Sequence, residues 1–283
     1  MLIIVLVMAD QHLHTPMYYF LGNLACLEIC YTSIILLRLL SSLLTGYRTM
    51  SVMGCITQMY FFGSLAAAEC YLLAAMSYDR YLAICKPLHY PTCMTGRFCL
   101  QLTAGSWISA FLAISIIVLF VSQLTFCGTN EIDHFFCELT LVVKLSCSDT
   151  NVVEFLMFLF ASIFTLPPFL LTIISYVLII ATILRISSVT GKQKAFSTCS
   201  SHLIVVTVFY GTLMIVYVLP KNNKLRVLNK LFSVFYTILT PMVNPLIYSL
   251  RNKDTLPMEE LGSGNLTIIS HILFLGFGDF KEL

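Results

Sequence analysis

Charge is what this chain lacks. Of its 283 residues, 11% are Asp, Glu, Lys or Arg, whereas 58% are hydrophobic and mean hydropathy is +0.89. A soluble domain carries about 25% charged residues, so a water-covered surface of ordinary size is excluded. A net charge of +2 gives no basic excess for nucleic acid. Catalytic signatures are missing too: there is no GxSxG, no HExxH and no Gly-rich phosphate loop. His12, His14, His89, His134, His202 and His271 are scattered, and the CxxC and HxxxH spacings of structural zinc are absent. These gaps argue against an enzyme, a metal centre, a bound cofactor or a nucleic-acid partner. No repeat relates the two halves, as the paired broken helices of many transporters would require.

Apolar runs take the place of charge. About 20 apolar residues cross a hydrocarbon core, so the chain has room for roughly six to eight crossings with short loops. Seven are legible. Met1 to Met8 is apolar but too short to span, and without a basic start or a small-residue cleavage site it is no secretory signal; it reads as the second half of a first membrane helix. Met17 to Leu40 follows, with Pro16 suited to its first turn. Then come Cys55 to Ile84, Phe98 to Ser122 with the only tryptophan, Trp107, then Val152 to Ile186, Ala195 to Leu219 and Leu228 to Leu250. Pro167-Pro168 predict a kink in the fifth run, and Lys192 and Lys194 mark a short basic loop before the sixth. The fold class is an all-α membrane protein, a seven-helix bundle whose first helix is incomplete.

Eleven cysteines divide into two groups. Cys26, Cys30, Cys70, Cys85, Cys93, Cys99 and Cys199 lie in apolar or inner segments and read as small buried residues. Cys127, Cys137 and Cys147 share one polar segment, and Cys55 opens the third run. Four thiols on one side of a membrane suggest two disulfides in an oxidising compartment, with zinc as the competing reading. Basic residues do not orient the bundle, since eight fall on the presumed inner side and seven on the outer. The cysteine segment must face the oxidising side, which puts Asp79 and Arg80 in the cytosol.

Asp79-Arg80 closes the third run. Ionised groups cost about 2.5–3.5 kcal/mol each in hydrocarbon, so such a pair belongs at a membrane edge or in a polar cavity. Neighbours on a helix point about 100° apart, so Arg80 keeps donors for a second partner. Two more acids, Glu28 and Glu69, fall inside apolar runs, where a carboxyl is a functional-site hypothesis by default.

The flanks sharpen this reading. Met76-Ser77-Tyr78-Asp79-Arg80-Tyr81-Leu82-Ala83-Ile84-Cys85-Lys86-Pro87-Leu88-His89-Tyr90 resembles the end of the third helix and the second inner loop of vertebrate olfactory receptors. Leu13-His14-Thr15-Pro16-Met17-Tyr18-Tyr19-Phe20-Leu21-Gly22-Asn23-Leu24 resembles the start of their second helix. Lys194-Ala195-Phe196-Ser197-Thr198-Cys199-Ser200-Ser201-His202 is similar to the start of the sixth. Pro241-Met242-Val243-Asn244-Pro245-Leu246-Ile247-Tyr248 is similar to the end of the seventh, and Ser175-Tyr176 and Phe209-Tyr210-Gly211 match shorter signatures.

The resemblance implies a rhodopsin-like G-protein-coupled receptor in the cell membrane. It would bind small hydrophobic odorants and drive a stimulatory olfactory G protein towards adenylyl cyclase. It further implies disulfides Cys55–Cys137 and Cys127–Cys147, and a facing pair Glu28 and Glu69. A switch would comprise Asp79, Arg80, Tyr81, Tyr176, Tyr210, Asn244, Pro245 and Tyr248. Helical spacing above the matched positions suggests a ligand cavity of Phe62, Ala66, Ala67, Phe160, Phe164, Met214, Tyr217 and Thr237.

The ends depart from the family pattern. Residues 1–254 read as the receptor domain and 255–283 as an atypical tail. In that tail Asn265-Leu266-Thr267, followed by Phe274-Leu275-Gly276-Phe277, resembles a displaced amino terminus that would begin at Met258. Permutation, truncation or a mis-joined frame is the expectation. A non-functional gene product and, less favoured, a small transporter are the competing readings.

Overall fold

The computed structural model describes residues 15–45, 49–126, 131–133, 137, 142–143 and 145–218. The expected first run Met1–Met8, the seventh run Leu228–Leu250, the tail 255–283, and Cys127, Thr237, Asn244, Pro245 and Tyr248 lie outside the described residues. The elements in chain order are α1 (Pro16–Thr45), β1 (Thr49–Ser51), α2 (Val52–Cys85), α3 (Tyr90–Cys93), α4 (Gly96–Ser122), β2 (Glu131–Asp133), α5 (Asn151–Arg185) and α6 (Val189–Val218).

Local chemistry sets the boundaries. Pro16 opens α1, where its missing N–H costs nothing. Ser51 caps α2 by accepting from the Gly54 N–H at 3.2 Å, and Thr95 caps α4 by accepting from Phe98 at 3.3 Å. Each such cap is worth about 1 kcal/mol. Pro91 sits in the first turn of the short helix α3. Inside the long helices the hydroxyls turn back onto the carbonyl one turn earlier, as in Thr57 to Met53 (2.9 Å), Ser64 to Tyr60 (2.7 Å) and Thr207 to Leu203 (2.7 Å). In lipid no water would accept those protons.

Among the described residues, α1, α2, α4 and α5 are each long and apolar enough to cross a membrane, and α6 makes a fifth if its two arms count as one span. α2 is the axis, packed against α1, α4, α5 and α6. Its most apolar stretch is 67% buried, against 28% for α4 and for α5. The outer flanks of α4 and α5 expose Ile108, Leu112, Leu119, Phe155, Phe158, Leu170 and Val177. In water that would be an aggregating surface; in a bilayer it is the lipid face. Because lipid is as apolar as leucine, the helices gain cohesion from close packing and internal hydrogen bonds more than from solvent exclusion. α2 and α4 come into contact at Gly63, where a Cβ would make an ordinary van der Waals contact with Ile114 at 3.6 Å.

Three buried clusters stack along the bundle. The largest fills the middle around Phe20, Leu24, Leu72, Met76 and Phe209. One at the disulfide end holds Val52, Cys55, Ile117, Cys137 and Val153, and the third, at the Arg80 end, joins Tyr176, Ile179, Ile183 and Cys199 to Tyr81 and Ile84.

Four features differ from expectation or add to it. Lys192 and Lys194 lie in the first turns of α6, not in a loop, because Ser188 accepts from the Gly191 N–H (3.3 Å) and starts the helix early. α5 runs unbroken through Pro167-Pro168, while the sharp bend, 42°, falls in α6 between Val189–Ser197 and Cys199–Leu213. Side chains pull on the backbone there: Cys199 Sγ reaches the Ala195 and Phe196 carbonyls (3.3 and 3.5 Å), and Ser200 Oγ donates to Ser197 (3.1 Å). Such back-bonding bends helices without proline. Finally, a two-stranded antiparallel ladder pairs Thr49 with Asp133, Met50 with Ile132 and Ser51 with Glu131.

Candidate functional site

The disulfide end is tied by covalent and backbone bonds. Cys55, in the first turn of α2, is bridged to Cys137 across a sequence separation of 82. Gln58, one turn further along, accepts from the Cys137 N–H at 3.1 Å, so the loop is held twice within one turn. Cys147 is also disulfide-bonded. Its neighbourhood is zipped by a Phe126–Ser146 bridge and by the Cys147 N–H donating to Thr125 (2.9 Å).

The opposite end is held by side chains. Asp79 is fully buried and Arg80 13% exposed, and Arg80 Nη2 stands 3.2 Å from Asp79 Oδ2. The other carboxylate oxygen accepts from the Tyr90 hydroxyl at 2.9 Å. Burial first, then the Asp79 carboxylate, pushes the Tyr90 phenol above its usual range, so it remains a donor at any physiological pH. Arg80 Nε has no partner. Its charge bears on Tyr176 of α5 and on Cys199 and His202 of α6. Tyr176 and His202 share a 2.6 Å hydrogen bond, with the rings stacked at 5.8 Å, and the Tyr176 hydroxyl also reaches the Cys199 carbonyl at 3.5 Å. Thus α2, α5 and α6 meet at one buried cation, beside the bend in α6. Tyr81 turns away from this contact to Tyr78 and Lys86, packing on the edge of the cluster.

Tyr210 lies midway up α6. Its ring packs on Phe169 at 4.9 Å and on Phe209 at 5.3 Å, and its buried hydroxyl closes no hydrogen bond. Thr172 stands beside it, donating to the Pro168 carbonyl (2.8 Å) and accepting from Ser77 (3.5 Å). Glu28 and Glu69 are both buried; Tyr31, one turn after Glu28, hydrogen-bonds Glu69, so the two acids lie on facing helices with this phenol at the seam.

The candidate cavity residues fall into two groups. Phe62 and Ala66 join Tyr31, Glu69 and Phe209 around a cleft with no room for a water molecule. Phe62 meets the Tyr31 ring edge-on at 5.7 Å. Phe160 and Phe164 stack on each other at 5.6 Å, and Phe164 reaches Tyr71 at 6.2 Å. Ala67 is half-buried on α2, and Met214 and Tyr217 belong to the last turns of α6, where their side chains are outside the described set. Sequence reasoning missed His202, Tyr90, Tyr31 and Phe209 as partners. For His202 a signal existed, since Cys199 and His202 stand one helical turn apart on the face that meets Tyr176.

The described residues thus form a membrane bundle that buries one cation, Arg80, where three helices join. A family model for olfactory receptors matches residues 1–258. Human olfactory receptor 11A1 is 50% identical over 255 residues, covering 90% of this chain and 80% of the relative. Mouse olfactory receptor 6B9 is 46% identical over 254 residues, with the same coverage, and human olfactory receptor 2G6 is 46% identical over 245 residues, 87% of this chain and 78% of the relative. The chain belongs to the olfactory receptor family. Its function is that of an odorant receptor, multi-pass in the plasma membrane, with the coupling to G proteins typical of that family.

Proposed function

We propose that this receptor takes small, largely hydrophobic odorants and signals through a stimulatory G protein, with Arg80 as the element that changes partners. The observation that carries this is the half-committed guanidinium: Nη2 faces Asp79, Nε has no partner, and the Tyr176–His202 pair stands across the joint. In the resting arrangement Asp79 and Tyr90 hold Arg80 to α2. Straightening or swinging of α6 about its bend breaks the Tyr176–His202 contact and opens a cytosolic cleft. Arg80 then turns to Tyr176, Tyr248 and the G protein's tail. A ligand drives this only by binding one arrangement better than the other.

The ligand end of the mechanism lies on α2, α5, α6 and the seventh helix. Phe62, Ala66, Ala67, Phe160, Phe164, Met214, Tyr217 and Thr237 supply an apolar, aromatic lining with a few hydroxyls. The closed cleft at Phe62 and Ala66 opens as Phe209 moves, and Tyr210, packed on Phe169, carries that movement along α6. Asn244 and Pro245 give the seventh helix a place to rearrange. Glu28 and Glu69 hold α1 to α2 through Tyr31. Cys127 is the proposed partner of Cys147, supported by the Phe126–Ser146 bridge between their neighbours. The receptor domain is 1–254; that the family match ends at residue 258 supports setting 255–283 apart.

The test is cyclic AMP production by cells expressing the chain on an odorant panel, with Arg80→Ala at matched surface expression. A dose-dependent response abolished by that substitution is expected. A response that persists unchanged overturns the role given to Arg80.

A further inference from the structure

We propose that Gln58 is the polar anchor of the ligand cavity: its Nε2 amino group takes the oxygen of an aldehyde, ketone or ester and so selects ligands that carry such an acceptor. The inference deepens the reading of Phe62 and Ala66 as ligand lining, and it rests on that reading.

Gln58 lies on α2, one turn from Phe62 and two from Ala66 on the side of the disulfide. Residues advance about 100° each around a helix, so Gln58, Phe62, Ala66 and Glu69 fall within about 80° of one another on one face. Phe62, Ala66 and Glu69 line the cleft that Tyr31 and Phe209 close. Gln58 extends the same stripe to the level of the cluster holding Val52, Cys55 and Cys137, and it is 6% exposed.

The orientation of the amide is settled by its other half. The Cys137 N–H donates to Gln58 Oε1 at 3.1 Å, and only the oxygen of an amide can accept that proton. What remains is Nε2, a donor that offers no lone pair. It is buried and has no partner among the described residues. A buried donor left unmade is costly, and a ligand oxygen that meets it removes the cost.

This fixes the chemistry of the occupant. An ammonium group would set donor against donor, and a carboxylate would carry a net charge into an apolar cluster. A neutral carbonyl satisfies the amide without either penalty. Ala66 lies about 12 Å along the axis from Gln58, so the oxygen leads an apolar body of about that length past Phe62. A site built to meet an acceptor discriminates against the analogue that lacks it, because its own donor is then stranded.

The experiment follows the Tm of the purified full-length receptor in detergent against rising concentrations of octanal, octan-2-one, methyl heptanoate and 2-methyloct-1-ene. The last has the shape of octan-2-one without its oxygen. The carbonyl probes should raise Tm at concentrations on the order of tenfold lower than the alkene requires. Gln58→Met keeps the volume, and the Cys55–Cys137 bridge still holds the loop, so this variant should fold. It should bring the ketone-to-alkene ratio close to one while leaving the alkene unchanged. The wild-type ratio carries the test by itself should that variant fail to fold. Equal affinity of the wild type for ketone and alkene, no shift with any carbonyl probe, or parallel weakening of both probes by Gln58→Met would each overturn the assignment. Binding is read here without Arg80. A cyclic AMP response that ignores Arg80→Ala therefore sinks the coupling scheme and leaves these shifts standing, whereas a missing carbonyl preference beside an Arg80-dependent response sinks only the anchor.

Discussion

At the outer end, Cys137 is fixed to α2 by a sulfur bridge and by Gln58, and the three-residue ladder between Thr49–Ser51 and Glu131–Asp133 holds the same loop by backbone bonds. At the inner end the ties between helices among the described residues run through side chains: Asp79, itself paired with Arg80 on its own helix, to Tyr90, Tyr176 to His202, and Cys85 Sγ to Thr182 Oγ1 at 3.1 Å. Covalent and backbone ties survive small rearrangements, whereas side-chain contacts of about 1–3 kcal/mol can be exchanged for others. In the proposed mechanism the outer mouth therefore acts as a frame and the inner mouth as a latch. A signal that entered a loose outer end would dissipate there. With α2 and the loop held by the frame, the sharp joint among the described residues of α6 is its 42° bend beside Arg80.

The contrast breaks first at the frame. Cys55→Ala opens a loop with a sequence separation of 82, which the chain-entropy account values at about 4–5 kcal/mol. The expected result is loss of most surface receptor by antibody staining and a lower Tm in detergent, with no gain in basal signal. A variant that reached the surface normally but signalled without ligand would mean that the bridge is part of the latch. The latch is tested by Asp79→Asn, which removes the charge that restrains Arg80. Its expected effect is a rise in basal cyclic AMP, equivalent to about 1–2 kcal/mol or a roughly 5- to 30-fold shift between states, at near-normal expression. Unchanged basal signal with reduced expression would make Asp79 a folding residue only.

A finer cut separates the two halves of the latch. Tyr90→Phe removes one charge-assisted hydrogen bond to Asp79, worth about 1.5–3 kcal/mol, and Tyr176→Phe one bond to His202, worth about 0.5–1.5 kcal/mol. Tyr90→Phe should raise basal signal, and Tyr176→Phe, which also removes a partner proposed for Arg80 in the open arrangement, should raise it less. If the two contacts hold one and the same closed arrangement, each adds its full share to the shift in the double variant. A double variant no different from Tyr90→Phe alone would place Tyr176 outside the latch.

What could be read in advance tracks the range of the interactions. Pro16 and the apolar run behind it announce α1, and Asp79-Arg80 announces a buried pair, because both signals lie within a few neighbouring residues. Tyr90 stood in the same stretch as Asp79, but its hydrogen bond depends on α3 folding back beneath α2, through a turn at residues 87–89 in which the His89 and Tyr90 N–H groups donate to the Lys86 carbonyl, and spacing does not signal it. His202 needed α5 beside α6. The ladder at Thr49–Ser51 is three residues long, with no alternation to betray it, and its partner lies some eighty residues away. Pro167-Pro168 drew attention as a kink, yet the larger bend belongs to Cys199 and Ser200, whose side chains compete for backbone carbonyls. Lys192 and Lys194 looked like a loop because charge outweighed the helix-start signal of Ser188 three residues before Gly191.

The smallest expected effect is also the best control on the contrast, because the two ends carry matched caps. Ser51 at the outer start of α2 and Thr95 at the inner start of α4 each accept one backbone N–H, at 3.2 and 3.3 Å, and both are exposed. Ser51→Ala and Thr95→Ala should each cost about 1 kcal/mol of stability, read as similar small drops in Tm. Their signalling should differ even so. Ser51 lies within the ladder and four residues before Cys55, where the frame absorbs a frayed turn, so the odorant response should be unchanged. Thr95 adjoins α3, whose Tyr90 holds Asp79, so a frayed start to α4 loosens that tyrosine and should raise basal cyclic AMP slightly. Equal Tm losses with equal basal signals would show that the inner end is no more exchangeable than the outer.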